Sequence, residues 1–478
     1  MTPAAYLLLD QGGHGSRALL MDEAGRQLAE ADAAVATRED NGDRVEQDGA
    51  EIVASLRRCI AGIRAQYPGK SITAAGLAVQ RGSVLCWDRD SGKPLTAVLS
   101  WRDRRRPERQ GPAPGQVRER TGLRYSPYGG APKLRWCLES EPQVARAAAA
   151  GRLAMGPLAS FLLRALLEPD THLIDPGLAQ RSLLWSRQVG DWDPVLLEAF
   201  GLDRRWLPRV CPSHHDYGQL RDLAGAVPLG LLMGDQNAVP WLAGSPRADT
   251  SYLNLGTGGF MLRPVAADQD PGPFQFTLLE PTLPTPYALE ASLHGVGAAL
   301  DWLSRRLDKA IGPAQIRQSL REPGNAPLFI NSVGGLGSPW WQAGPSPDFL
   351  SPDGVSVIPD PEPQAALAGV LESICFLIRE NLDDMDELAG QSERLLLSGG
   401  LSRSDEFCAL IAAFLNRPVF RLVGGEATAT GLWWRLRGAD GPGPEVARVA
   451  ADPGPWDLQA MERRWRVWRR CMPDVAAD

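Results

Sequence analysis

Several features that would point to metal, redox or membrane chemistry are missing from this sequence of 478 residues. The seven cysteines are scattered without a Cys-x-x-Cys pair, and the five histidines form neither a His-Glu-x-x-His motif nor another metal-ligand spacing. We therefore expect reduced, mostly buried thiols, with neither a disulfide framework nor a zinc site. No window approaches 18 uninterrupted apolar residues, and no signal peptide is visible at the start. The sequence predicts a soluble, cytoplasmic protein without a membrane partner.

Lysine is also scarce, and arginine supplies nearly all of the 50 basic residues. We interpret this bias as genomic base composition rather than as a site. The net charge of −7 disfavours a nucleic-acid partner. The most basic run, Trp101–Gln110, is short and interleaved with acids, so we interpret it as a solvated, salt-bridged pocket rim. The four lysines stand at Lys70, Lys93, Lys133 and Lys309.

The chain is long enough for two domains, and 44% hydrophobic residues leave ample material for their cores. An apolar run, a glycine turn and a second apolar run occur at Leu7–Asp22 and again at Ser251–Pro264. A linker candidate, Ala243–Asp249, precedes the second occurrence. The pattern predicts a duplicated α/β domain of β-hairpin plus helix, divided into 1–244 and 245–478. The longest helix is predicted at Pro361–Leu388.

Three glycine turns follow β-type runs and suggest phosphate binding. A turn without bulky side chains lets backbone N–H groups approach a phosphate, and an acid before it, here Asp10, can hold Mg²⁺. In the second turn, Thr257 can donate to a phosphate oxygen. The third, Gly399-Gly400, stands before a helix, where either an adenine ring or a phosphate could lie. The alternative for each is an ordinary turn without a ligand.

A further strand-like run ends at Gly234-Asp235-Gln236. The Asp235 carboxylate at this point can accept a proton from a substrate hydroxyl that attacks phosphorus. The alternative is that Asp235 is the N-cap of the helix that follows.

Taken in order, these motifs resemble those of the FGGY carbohydrate kinases, nearest to the glycerol kinase branch. "DQGGHGSR" resembles the first phosphate motif, and "AVQRGSVLCWDRDSGKPLTAVLSWRDRR" resembles the substrate-lining segment of that branch. "GDQNA" is similar to the signature that holds the catalytic base, and "LNLGTGGFML" to the second phosphate loop. "GVGAALDWL" and "LSGGLSRSDEF" resemble the nucleotide-side helix start and the adenosine motif. The matches run from about residue 5 to about residue 435.

The resemblance implies an α/β fold of duplicated actin-like (ribonuclease H-like) domains with ATP in the cleft between them. It implies ATP-dependent phosphorylation of a hydroxyl of a small sugar or polyol, with ATP and Mg²⁺ as cofactors. It leaves the assembly state open, a homodimer included. The residues it implies are Asp235 as the catalytic base; Gln80, Arg81, Trp101, Tyr128, Asp235 and Gln236 for the substrate; Gly12, Gly13, His14, Arg17, Gly256, Thr257, Gly297, Asp301, Gly399, Gly400 and Ser404 for the nucleotide; and Asp10 for the metal.

Two departures from the family pattern stand out. The usual Thr-Thr-Ser of the first phosphate loop is Gly13-His14-Gly15, so its hydroxyl donors are gone. The acid that glycerol kinases carry after the Gln-Arg pair is Gly82, which leaves glycerol open as the substrate and makes room for a larger sugar or polyol. The alternative function is a catalytically weakened regulatory relative that binds sugar or nucleotide. A chaperone or filament protein is disfavoured, because the substrate-side motifs would have no purpose there.

Overall fold

The computed structural model describes residues 4–40, 42–68, 71–107, 111–221, 223, 226–438 and 444–475. Its strands are β1 Ala5–Gln11, β2 Gly15–Asp22, β3 Gln27–Ala34, β4 Thr37–Glu39, β5 Val45–Gln47, β6 Ala74–Val79, β7 Val84–Asp88, β8 Val98–Leu99, β9 Leu153–Pro157, β10 Leu167–Glu168, β11 Leu173–Ile174, β12 Arg209–Val210, β13 Gln219–Leu220, β14 Leu229–Gly234, β15 Thr250–Leu255, β16 Gly259–Val265, β17 Gln275–Leu278, β18 Tyr287–Leu293, β19 Leu328–Ile330, β20 Asp348–Leu350, β21 Arg394–Ser398, β22 Val419–Leu422 and β23 Val446–Arg448. Its α-helices are α1 Gly49–Gln66, α2 Pro114–Thr121, α3 Gly130–Ser140, α4 Pro142–Ala149, α5 Leu158–Leu166, α6 Pro176–Gln180, α7 Pro194–Phe200, α8 Asp235–Ala238, α9 Gly297–Leu307, α10 Pro313–Arg321, α11 Pro363–Ala389, α12 Asp405–Leu415, α13 Ala427–Leu436 and α14 Leu458–Cys471.

These elements form two compact units. Unit 1 consists of Met1–Ser245, Thr277–Pro281 and Gly425–Pro444, and unit 2 holds the remaining residues. The two short segments of unit 1 lie beyond residue 244, where the sequence-based division placed the second domain.

The main sheet of unit 1 has the strand order β14-β6-β1-β2-β3. β1, β2 and β3 form an antiparallel meander, whereas β6 and β14 run parallel to β1. Leu7, Leu8 and Leu9 of β1 are all fully buried, as expected for a strand whose sheet is covered by helices. A second sheet has the order β4-β5-β8-β7-β9, and its strand β7 begins a few residues after β6.

Two helices cover the main sheet of unit 1. α1 packs against β2 and β3, and α13 packs against β1, β6 and β14. Asp48 caps α1 by accepting the backbone N–H group of Ala50, which satisfies one of the free donors of the first turn. α13 comes from the late segment of the chain, and its Trp433 donates from Nε1 to the carbonyl oxygen of Asp22 at 2.9 Å.

Unit 2 repeats the same strand pattern. Its main sheet has the order β17-β18-β16-β15-β21-β22-β23. β15, β16 and β18 form an antiparallel meander, and β21 and β22 run parallel to β15. Five strands of each unit therefore share one order and one set of directions, which confirms the predicted α/β class and the duplicated hairpin.

The long helix of unit 2 also confirms the sequence pattern. It was predicted at Pro361–Leu388 and spans Pro363–Ala389. The side chain of Glu362 caps it by accepting the N–H group of Ala365 at 2.8 Å. Its apolar side chains, Leu367, Val370, Leu371, Ile374, Leu377, Ile378 and Leu382, are buried. Within the residues that the structure describes, no helix is long and apolar enough to cross a membrane.

The close packing of α13 on the residues after Asp235 gives a stability prediction. A Cβ atom on Gly431 would lie 2.0 Å from the carbonyl oxygen of Ala238, so alanine there must push the helix away. We expect Gly431→Ala to lower the free energy of unfolding by about 1–3 kcal/mol. Urea denaturation followed by tryptophan fluorescence measures the change.

The matched control is Gly115→Ala in α2, where an added Cβ would meet no atom of the described residues within 4 Å. This substitution is expected to be neutral or to stabilise by up to about 1 kcal/mol, because alanine favours a helix. Equal stabilities of the two variants would contradict the packing described for α13.

Candidate active site

Three parallel strands of unit 1 end side by side. In the strand register, Asp10 of β1 stands opposite Ala78 of β6, and Ala78 stands opposite Met233 of β14. Because neighbouring strands lie about 4.8 Å apart, the residues that follow β1, β6 and β14 emerge at one edge within roughly 10 Å. Arg81 and Asp235 are such residues. The carboxyl edge of parallel strands is where α/β proteins bind ligands.

The Asp10 carboxyl group is desolvated and lies near two other carboxyl groups. Its Oδ1 atom is buried and has no hydrogen-bond partner among the residues that the structure describes. Burial raises the pKa of Asp10 well above its ordinary value, the Glu426 and Asp235 carboxylates raise it further, and Arg17 lowers it. A divalent cation would relieve this repulsion and satisfy the orphaned oxygen, so the donor set fits Mg²⁺.

The residues around Asp10 fit a metal ion that takes most of its ligands from water and phosphate rather than from the protein. Within the described ranges, no group of three or more His, Cys, Asp or Glu side chains is arranged to hold a metal ion. Mg²⁺ commonly binds through one or two carboxylates together with waters and substrate phosphates, so a complete protein cage is not required.

Asp235 forms an ion pair with Arg81 at the end of β14. The Arg81 Nε atom lies 3.7 Å from Asp235 Oδ1, and the Asp235 side chain is 24% exposed. A Cβ atom on Gly234 would lie 2.8 Å from Cγ and Cδ of Arg81, so any larger residue at position 234 would clash with the arginine side chain. Gly234 is the N-cap of α8 and Asp235 is its first residue, so the alternative in which Asp235 caps this helix is wrong. Gln236 lies beside the pair, with Nε2 at 3.4 Å from Asp235 Oδ2.

Three buried glutamine side chains form hydrogen bonds to the predicted first phosphate turn and to one another. Gln47 donates from Nε2 to the carbonyl oxygen of Gly13 at 2.8 Å. Gln80 donates from Nε2 to Gln47 Oε1 at 2.9 Å and to Gln11 Oε1 at 3.1 Å. None of the three side chains is more than 2% exposed. Gln80, predicted to bind substrate, thus lies under the turn, and its contact with a sugar stays a prediction.

Backbone contacts explain why glycine occurs in this turn. Gly12 donates its N–H group to the carbonyl oxygen of Gly15 at 2.9 Å, and Val35 donates to that of His14 at 3.0 Å. A Cβ atom on Gly15 would lie 2.8 Å from the carbonyl oxygen of Ala33 on the next strand. Close approach of β3 therefore requires glycine at this position, while the His14 side chain is exposed.

The predicted substrate aromatics lie around Gly82. Trp101 and Tyr128 are 38% and 42% exposed, which is high for large aromatic side chains. A Cβ atom on Gly82 would lie 3.6 Å from the Trp101 Cβ and 3.5 Å from the Tyr128 carbonyl oxygen. Gly82 has φ +76°, so an acid at this position would be strained. The Trp101 indole also approaches the phosphate turn, with Nε1 3.4 Å from the Cβ position of Gly13.

In unit 2 the second glycine turn contacts the start of a helix. Gly297, the first residue of α9, donates its N–H group to the carbonyl oxygen of Gly256 at 3.1 Å. Ala298 donates to the carbonyl oxygen of Thr257 at 2.8 Å. A Cβ atom on Gly297 would lie 2.7 Å from the Gly256 oxygen, so glycine is required. The Thr257 side chain is exposed. Asp301, also exposed, lies one helical turn further along α9.

The third glycine turn emerges at the same edge of the unit 2 sheet. Gly399 directly follows β21, which runs parallel to β15. It has φ +87°, and a Cβ atom there would lie 2.6 Å from the carbonyl oxygen of Leu255. Gly400 is exposed. Ser404 is the N-cap of α12, and its Oγ accepts the N–H group of Phe407 at 3.3 Å.

Comparison with known families identifies the chain. Residues 5–240 match the model of the FGGY family of carbohydrate kinases, N-terminal domain, and residues 251–433 match that of its C-terminal domain. The chain belongs to the FGGY family of carbohydrate kinases. It is therefore a kinase that uses ATP to phosphorylate a sugar or polyol.

Individual relatives agree with this assignment. The kinase is 32% identical to a glycerol kinase of Alkalilimnicola ehrlichii, over 98% of this chain and 97% of the relative. It is 33% identical to a glycerol kinase of Thermus brockianus, over 98% of each. Among solved structures, a xyloylose kinase from Brucella ovis superposes with TM-score 0.82 at 23% identity, covering 98% of both chains. Plasmodium falciparum glycerol kinase with ADP gives TM-score 0.80 at 18% identity, covering 98% of this chain and 97% of that one. At these identities, the two structures show a shared fold.

Two residues at the site escape sequence reasoning. Gln47 ends a three-residue strand, β5, and nothing in its neighbourhood points to the turn 34 positions earlier. Glu426 follows two glycines and caps α13 by accepting the N–H group of Ala429 at 2.8 Å. Its position before a helix indicates an N-cap, which the sequence shows locally. Its proximity to Asp10 could not be predicted, because it arises only from the late segment Gly425–Pro444 folding into unit 1.

The buried glutamines give a prediction for the kinase. Gln47→Leu would remove the 2.8 Å hydrogen bond to the carbonyl oxygen of Gly13, which keeps a longer one of 3.4 Å from Thr37 Oγ1, and one of the hydrogen bonds of the Gln80 amide. We expect this to cost about 1–3 kcal/mol in the free energy of unfolding. Because the loss falls on the predicted phosphate turn, the KM for MgATP is expected to rise more than the KM for the acceptor. Chemical denaturation and steady-state kinetics measure the two effects.

Gln66→Leu is the control, since Gln66 makes its hydrogen bonds at the exposed end of α1. An unchanged KM for MgATP in the Gln47 variant would show that the turn does not need this support.

Proposed function

We propose that the kinase transfers the γ-phosphoryl group of MgATP to a hydroxyl of a small sugar or polyol, with Asp235 as the general base. The observation that supports this most is the Arg81–Asp235 ion pair, partly open to solvent, on the sheet edge that also carries Asp10. Arg81 would orient the Asp235 carboxylate toward the acceptor hydroxyl. Asp235 takes the hydroxyl proton as the oxygen bonds to the γ-phosphorus and the bond to the ADP oxygen breaks.

The acceptor would lie among Arg81, Trp101, Tyr128 and Gln236. The two aromatic side chains offer exposed apolar surface for the carbon skeleton, and the arginine and amide groups offer donors for hydroxyl oxygens. Gln80 would support the site indirectly, through its hydrogen bonds to the glutamines that fix the phosphate turn. Because Gly82 carries no side chain and disfavours one, we propose an acceptor with more carbon atoms than glycerol.

On the phosphate side, Gly12, Gly13, His14 and Arg17 of unit 1 would approach the phosphates, and Asp10 would hold Mg²⁺. When bound, Mg²⁺ neutralises charge on the phosphate oxygens. In unit 2, Gly256, Thr257, Gly297 and Asp301 would bind the phosphates and ribose side, and Gly399, Gly400 and Ser404 the adenosine. The contact of Gly297 with the Gly256 turn supports their acting together.

The base assignment predicts that Asp235→Asn abolishes acceptor-dependent turnover. The amide is nearly isosteric but accepts no proton, so kcat should fall by about 10²- to 10⁴-fold. ADP release from the purified protein is measured over a panel of glycerol, D-xylulose, D-ribulose, xylitol, D-ribose and D-gluconate. Calorimetry should show that the variant still binds MgATP.

The matched control is Asp216→Asn, an exposed aspartate whose carboxylate accepts the local backbone N–H group of Gly218. Full activity in the Asp235 variant would remove the base assignment. A wild-type protein that binds sugar or MgATP but turns over no acceptor would instead favour the regulatory alternative.

The metal assignment predicts a change in nucleotide binding. Asp10→Asn removes the charge that would attract Mg²⁺, so the affinity for ADP should lose most of its dependence on Mg²⁺. Titration calorimetry with ADP, with and without a saturating concentration of MgCl₂, measures this increment. An unchanged increment would show that Asp10 is not needed for the metal.

A further inference from the structure

Two turns that carry predicted substrate residues are joined by the same two side chains in unit 1. The first turn, Gln80–Ser83, follows β6 and carries Arg81; the second, Ser100–Asp103, follows β8 and carries Trp101. The Ser83 hydroxyl accepts the backbone N–H group of Trp101 at 2.9 Å and donates to Gln80 Oε1 at 3.0 Å. Ser83 is 1% exposed, so water cannot replace these bonds.

Lys133 joins the same turns at a second point. Its Nζ atom donates to the carbonyl oxygen of Gly82 at 2.7 Å and to that of Ser100 at 2.9 Å. Lys133 lies in the first turn of α3, the helix that begins just after Tyr128. The lysine thus connects the segments of three of the predicted substrate residues, Arg81, Trp101 and Tyr128.

The burial of this lysine is costly. Its side chain is 0% exposed, whereas lysine is almost never fully buried unless it is paired. Burial lowers the pKa of Lys133 to about 7, Asp103 and Cys137 oppose that shift, and Arg105 adds to it. A leucine or methionine would fill the same space without this penalty, so packing alone does not account for an ammonium group here.

We propose that Lys133 and Ser83 are positioning residues for the acceptor: together they fix the turn of Trp101 against the turn of Arg81. The proposal rests on the proposed function, because it takes these turns as the wall of the sugar site. It assigns to neither side chain a contact with substrate. Their loss should therefore weaken acceptor binding while leaving the chemistry and the nucleotide side largely intact.

Ser83→Ala is the mildest test, since it removes one oxygen and keeps the volume. It removes the hydrogen bond that ties the Trp101 N–H group to the first turn, so the KM for the best acceptor of the panel should rise about tenfold. The KM for MgATP should stay within about twofold, because Gln80 keeps its bonds to Gln11 and Gln47 beside the phosphate turn. The change in kcat should be smaller than the change in the acceptor KM.

Lys133→Met keeps the length of the side chain and removes its donors, and should raise the acceptor KM by about tenfold or more. In the double variant the increases should fall short of their product, because both bonds hold the same pair of turns. Lys93→Met is the surface control, since Lys93 is exposed. Leu56→Ala, a buried change in α1, controls for lost stability: it should lower the melting temperature without raising the acceptor KM.

A second readout is independent of activity. Hydrogen–deuterium exchange over residues 99–104 should become about tenfold faster in Ser83→Ala and Lys133→Met, but not in Leu56→Ala. If Lys133→Met does not fold, Ser83→Ala alone decides. An unchanged acceptor KM, or an equal rise in the KM for MgATP, would overturn the proposal. A wild-type protein inactive on the whole panel would refute the proposed function, and the exchange rates would still test whether the two turns are fixed by these side chains.

Discussion

The candidate site depends on the register of three parallel strands in unit 1. β1, β6 and β14 end level with one another, so a carboxylate, an arginine and a second carboxylate emerge at one edge although more than 220 residues separate the first from the last. A shift of one residue in any of these strands would turn its side chains to the other face of the sheet. The apolar β1, buried throughout its middle, fixes that register through packing.

Several glycines in the two units allow close contacts that a side chain would block. Gly234 lets Arg81 pass to Asp235, Gly15 lets β3 approach the first turn, and Gly297 lets α9 begin against Gly256. These are contacts of backbone or of another side chain, rather than spaces left for a ligand. At Gly13-His14-Gly15, where the usual hydroxyl-rich loop is absent, buried glutamines form hydrogen bonds that fix the turn.

Much of the fold could be predicted from local patterns. The paired apolar runs around Gly12 and Gly256 specify hairpins, and the apolar face of Pro363–Ala389 specifies a helix, because each signal lies within one element. Motif resemblance supplied the candidate residues, and the structure brings Arg81 to Asp235 and Gly297 to Gly256.

What escaped prediction depends on distant parts of the chain. Gln47 contacts Gln80 and Gly13, which lie 33 and 34 residues away, and Lys133 contacts carbonyl groups 33 and 51 residues away, so no local period reveals these contacts. The scarcity of lysine favoured an explanation from base composition, although one of the four is fully buried among the predicted substrate segments. Glu426 and the Thr277–Pro281 segment join unit 1 only because the chain returns to it.

That return has a consequence for how the protein is made. Trp433 closes a hydrogen bond to Asp22, a residue 411 positions earlier, and α13 covers β1, β6 and β14. During translation, the first strands leave the ribosome on the order of tens of seconds before this helix does. Until then the part of the sheet that α13 covers stays open in the nascent chain, so the apolar surface of β1, β6 and β14 is completed only by a helix made near the end of synthesis.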